Sequence, residues 1–101
     1  MPKFTVEAHT NVREDRTYFL HGYRQGDPLN RVGTFQVDAK DVHAAAEKIF
    51  EVGNIGTPDA GGKVWPHHST RSLSVGDVLT LVDPRGTVTV LAVASSGWRT
   101  L

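Results

Sequence analysis

Five histidines, His9, His21, His43, His67 and His68, are the side chains of this sequence suited to metal ligation or to proton transfer near neutral pH. Only His67 and His68 are neighbours, and adjacent residues seldom direct both imidazoles at one ion. The H-E-x-x-H and C-x-x-C…H-x-x-x-H spacings are absent, and no carboxylate stands close to the pair in sequence. They are read as solvated loop residues packed against Trp65, and no metal or other cofactor is expected. His9 and His21 fall on two segments expected to pair as strands; a shared face would let them titrate together, but ordinary half-exposed strand positions are the favoured reading.

Nucleophile motifs are weaker still. No G-x-S-x-G occurs, and Ser72, Ser74, Ser95 and Ser96 have no base fixed beside them by sequence. Gly56 to Gly62 is glycine-rich, but Lys63 follows without the Ser or Thr of a phosphate-binding loop, so flexibility is its expected role. An enzyme is therefore not expected, and a small metal-binding or enzymatic domain is the lowest-ranked alternative.

Two groups of residues suit binding. Arg13, Arg16, Arg24 and Arg31 interleave with Tyr18, Phe19 and Tyr23, the mixture of guanidinium and aromatic ring that binds single-stranded nucleic acid, although Glu14, Asp15 and Asp27 dilute its field. Trp65, with Lys63, His67 and His68 beside it, marks a candidate protein-docking loop, because an exposed Trp dominates interface energetics. Buried, Trp65 and Trp98 would be core, the favoured reading for large aromatics, with Trp65 anchoring its loop.

The whole chain supports one domain. Its 101 residues, 39% hydrophobic and 22% charged, are close to globular averages and sufficient for one core. Eleven basic and eleven acidic side chains leave no net charge, which removes the general argument for a polyanionic partner. The lack of cysteine excludes disulfides, a thiolate nucleophile and a finger-type zinc site, and fits the cytoplasm. Met1-Pro2-Lys3-Phe4 lacks the apolar run of a signal peptide, and no window approaches the roughly 20 apolar residues of a membrane span.

The elements that must position these residues follow from periodicity. Phe4, Val6 and Ala8 alternate with polar residues as a first strand; Thr17 to Tyr23 reads as a second strand paired with it, and Arg31 to Val37 as a third. Val42, Ala45, Ala46, Ile49 and Phe50 form one helical stripe, with Asp38 as cap and Gly53 as terminator, which predicts a helix over 39–52. Residues 54–70 hold too many Gly and Pro for a regular element and form a long loop, the first place to seek a site. Val78 to Val82 and Thr87 to Ala94 are strands joined by the type I turn Asp83-Pro84-Arg85-Gly86. The order β-β-β-α-β-β describes an α+β domain spanning 1–101, an antiparallel or mixed sheet covered by one helix, with a small partly closed barrel as the alternative.

The run Ser72-Leu73-Ser74-Val75-Gly76-Asp77-Val78, then two strands, then Gly97-Trp98-x-x-Leu101, resembles the C-terminal signature of the YodL-like family over about 30 residues. Gly76 stands where that pattern has Ser, and Trp98 where it has Phe. The resemblance implies a component of a plasmid, phage or other mobile element, of the kind found beside proteins that handle DNA or antagonise host defence, and carries no catalytic residues. It makes a protein-binding or regulatory role the first expectation, with an unidentified host or element-encoded protein as partner. A nucleic-acid module is the alternative. Physically, Gly76 permits a tight turn, Asp77 can accept from turn amides, and Leu73, Val75, Val78 and Trp98 pack.

Overall fold

Alternation in Lys3–Asn11 is that of a strand with one buried face: Phe4, Val6 and Ala8 are buried, and the residues between them are not. This is β1 of a computed structural model that describes residues 2–101. β2 (Leu29–Asp38) pairs with it antiparallel, with a bulge near Ala8 and His9. β3 (Val78–Val82), β4 (Val88–Ala94) and β5 (Gly97–Thr100) follow, and the five form one antiparallel sheet in the order β2-β1-β3-β4-β5. The sheet stays open, so the barrel alternative is not adopted.

Thr17 to Tyr23 is not a strand. It contains a single helical turn, α1 (Tyr18–His21), set between Arg16 at φ +57° and Gly22 at φ +78°. Asp15 starts the turn by accepting from the Thr17 amide and hydroxyl, both at 3.0 Å. The aromatic content that suggested a strand buries only Tyr18, while Phe19 and Leu20 are exposed. β1 is flanked by β2 and β3, so the expected pairing of the first two segments, on which a shared face for His9 and His21 depended, does not form.

The main helix, α2 (Val42–Asn54), begins three residues later than its pattern suggested, because Asp38 still belongs to β2 and the Ala39 amide donates to Pro2 O. Asp41 takes the cap position, its carboxylate accepting from the Ala44 amide at 2.8 Å. Gly53 lies inside the helix rather than ending it, and a Cβ there would sit 2.9 Å from Leu73. The stripe Ala45, Ala46, Ile49 and Val52 is buried against Phe35, Leu79, Leu81 and Leu91. Full burial of a side chain such as Ile49 contributes about 1.5–3 kcal/mol.

The expected C-terminal hairpin is present and has a third strand. Asp83 O accepts from the Gly86 amide at 3.0 Å, and its carboxylate accepts from Arg85 and Thr87 at 2.9 Å, closing the turn. After β4, Ser95 and Ser96 turn the chain and Gly97, at φ +87°, starts β5. Residues 55–77 contain no helix or strand. Among the described residues, no helix is long and apolar enough to cross a membrane.

Candidate functional site

Asp77 is the most completely buried carboxylate among the described residues, at 0% exposure. Its Oδ1 accepts from the Asn11 amide at 2.8 Å and Arg71 Nη2 at 2.7 Å; its Oδ2 accepts from the Ser74 amide and Arg71 Nη1, both at 2.8 Å. Arg71 also donates to Asn11 O and Ser72 O, and its guanidinium lies 5.5 Å from the ring centres of both Tyr18 and Phe19. Those bonds to Asp77 raise the Arg71 pKa against the opposing effect of burial. A carboxylate with four donors has no free lone pair for a substrate proton, so the cluster staples the Leu73–Asp77 turn to the end of β1. Gly76 completes the staple: at φ +94° it lies so close to Tyr18 that a Cβ would fall 2.7 Å from the tyrosine Cβ. The serine that the YodL-like pattern carries at this position would not fit without movement.

The four arginines expected to face nucleic acid do not form one patch. Arg13 pairs with Asp15 at 2.9 Å and Asp27 at 3.3 Å, and Arg31 lies on β2 with Glu7 at 3.4 Å. Arg24 donates to Thr17 Oγ1. Arg13, Arg16 and Tyr18 share an open depression of about 460 Å³ with Phe19 and Arg71, but Glu14 lines it too. Tyr18 is buried and Tyr23 half-buried.

Nor does the long loop present its tryptophan. Trp65 is 3% exposed, stacks on Phe35 at 5.6 Å between ring centres and donates to Arg71 O at 3.1 Å. It anchors the loop. His67 Nε2 donates to Gly53 O at 3.0 Å, and His68 is exposed. His9 Nε2 meets Glu7 at 3.1 Å. No group of three His, Asp or Glu side chains able to hold a metal occurs among the described residues.

The loop's ordered work is at the sheet edge. Register leaves the backbone groups of Thr34 and Gln36 pointing away from β1. Ala60 N donates to Gln36 O at 2.7 Å, Asp59 Oδ2 accepts from Gln36 N at 2.8 Å, and Lys63 Nζ donates to Thr34 O at 2.9 Å. Asp59 Oδ1 accepts from the Gly61 and Lys63 amides, which fixes the glycine-rich turn in place. The loop thereby covers the β2 edge at Thr34 and Gln36, while among the described residues no loop bond reaches the Leu29–Arg31 end.

The β5 edge is not closed. Leu101 N donates to Val90 O, so Gly97, Arg99 and Leu101 face β4 with their backbone groups, while Trp98 and Thr100 turn theirs outward. Beside that edge, on the α2 side of the sheet, Trp98 meets Phe50 edge-to-face at 5.7 Å. A groove of about 280 Å³ opens there, with Glu47, Phe50, Val93 and Trp98 in its walls. Arg99 points to the opposite face, where it donates to Tyr23 O. Sequence reasoning singled out Trp98 but missed this edge, whose only local signal is Gly97 after two serines. Set against known families, curated proteins and solved structures, the chain has no match.

Proposed function

We propose that the chain is a small non-enzymatic protein-binding module that captures an extended segment of its partner by strand addition at β5. The observation that carries this reading is the unpaired backbone of Trp98 and Thr100 beside the Phe50–Trp98 groove, on a sheet whose other edge is covered at Thr34 and Gln36 by its own loop. Main-chain pairing supplies affinity in this mode and pockets for alternate side chains supply specificity. The YodL-like resemblance supplies the setting, a cytoplasmic protein of a mobile element acting on a host or element-encoded partner, with antagonism of host defence as the role. A nucleic-acid module is the weaker reading, since Arg13 and Arg31 are ion-paired and Arg31 lies on a separate element.

The test is a selection of random nonapeptides displayed on phage against the wild-type protein, followed by affinity measurement on Thr100→Pro. Proline removes an outward N–H without touching the β4 pairing. Selected peptides are expected to bind Thr100→Pro at least tenfold more weakly; equal binding, or no enriched peptide, overturns the reading.

A further inference from the structure

We infer that the segment captured at β5 alternates acidic and aliphatic side chains, with the aliphatic residue in the Phe50–Trp98 groove and an acidic neighbour beside Arg99. The inference rests on the strand-addition reading and follows from the period of two in an added strand. A residue placed opposite Trp98 pairs with its outward backbone groups and sends its side chain to the α2 face, into the groove. Its two neighbours emerge on the other face, one opposite Arg99 and one opposite Gly97, where no side chain competes for space. An acid on both sides of the aliphatic residue therefore meets Arg99 whether the added strand runs parallel or antiparallel.

Glu47 fixes the register. It lines the α2 side of the groove, so a slip by one residue would bring an acid against Glu47 and turn the aliphatic side chain to solvent. A second copy of this chain is a poorer occupant. Two β5 strands paired with Trp98 opposite Thr100 about a twofold axis set Arg99 directly against Arg99 of the other copy, and like charges in that position are repulsive.

Three fluorescein-labelled heptapeptides decide the matter by fluorescence polarisation: Ser-Thr-Asp-Ile-Asp-Thr-Ser, the same peptide with both Asp changed to Lys, and the same with Ile changed to Ser. The first is expected to bind at least tenfold more tightly than either other. Arg99→Glu is expected to reverse the preference in favour of the Lys peptide, a gain that misfolding cannot produce. Binding of the Asp and Lys peptides with equal affinity, each abolished by Thr100→Pro, would overturn the acidic preference and leave strand addition standing. Binding of the first peptide unchanged by Thr100→Pro would overturn strand addition itself. A dimer seen by sedimentation that Thr100→Pro dissociates would replace the peptide by a second copy as occupant.

Discussion

Asp77 and Arg71 are joined by two short hydrogen bonds, and each is tied separately to the end of β1. Replacing one partner of such a pair leaves the other uncompensated, and breaking a buried ion pair this way costs about 3–5 kcal/mol. Asp77→Asn keeps the shape but turns an amide group toward the Arg71 and Ser74 donors. It is expected to lower stability by about 3 kcal/mol, read as a shift in the urea midpoint at unchanged slope. A midpoint within experimental error of wild type would show that the staple is dispensable. Asp77 was legible from the sequence as an acceptor of turn amides, which the Ser74 bond bears out. Its partner Arg71 was not, because the pairing also depends on β1, which reaches the site from 66 residues away. Trp65 was legible as a loop anchor or as a docking residue, and the choice falls to Phe35, a residue of β2 that no local pattern connects to it: Trp65 is buried.

Elements were legible where one period dominated. β1, the β3–β4 turn and the apolar stripe of α2 each agree in pattern, propensity and turn chemistry. Where local signals competed, the nonlocal partner decided: Asp38 lost the cap to Asp41 because β1 holds it in β2, and Thr17 to Tyr23 lost its strand because β2 took the edge. Gly97 to Thr100 is too short for periodicity to announce, and it exists because β4 offers a free side. The glycine-rich segment was expected to be flexible, yet Asp59 gathers three amides and ties it to β2. Asp59→Ala removes those acceptors and frees the Gln36 amide at the edge. Exposed edges template pairing with other chains, so this variant is expected to associate with rising concentration while the wild type does not do so through β2. Light scattering after size exclusion over a hundredfold dilution series checks this, and an Asp59→Ala protein that matches wild type at every concentration would remove the protective role from the loop.

At the scale of the whole molecule, stability responds to pH through carboxylates whose pKa differs between the folded and unfolded chain. Burial pushes the Asp27 carboxyl up, but the Arg24 amide, the Asn11 side chain and the charges of Arg13 and Arg24 together bring it below its ordinary value. Asp59 behaves alike: burial raises it, and bonds from Gln36, Lys63 and Gly61 with the Lys63 charge lower it overall. A carboxyl lowered in the folded state gives stability that is present above its unfolded pKa and is lost as pH falls through the folded value. Melting temperature is thus expected to hold above about pH 5 and to fall below about pH 4, with a shallower fall in Asp59→Asn. An Asp59→Asn profile parallel to wild type down to pH 2.5, about the practical limit, would assign acid sensitivity elsewhere.

The covered stretch of the β2 edge also bears on how far any assembly on this sheet can go. A strand that joins at β5 meets a body whose far side is covered at Thr34 and Gln36, where a further strand would have to displace the loop. If a partner adds at β5, a one-to-one complex is favoured over continued growth, since a strand extending from β2 has to compete with Asp59, Ala60 and Lys63 for Thr34 and Gln36. Growth into a fibre needs two receptive sides, and the loop that ties Asp59 to Gln36 obstructs the middle of one of them.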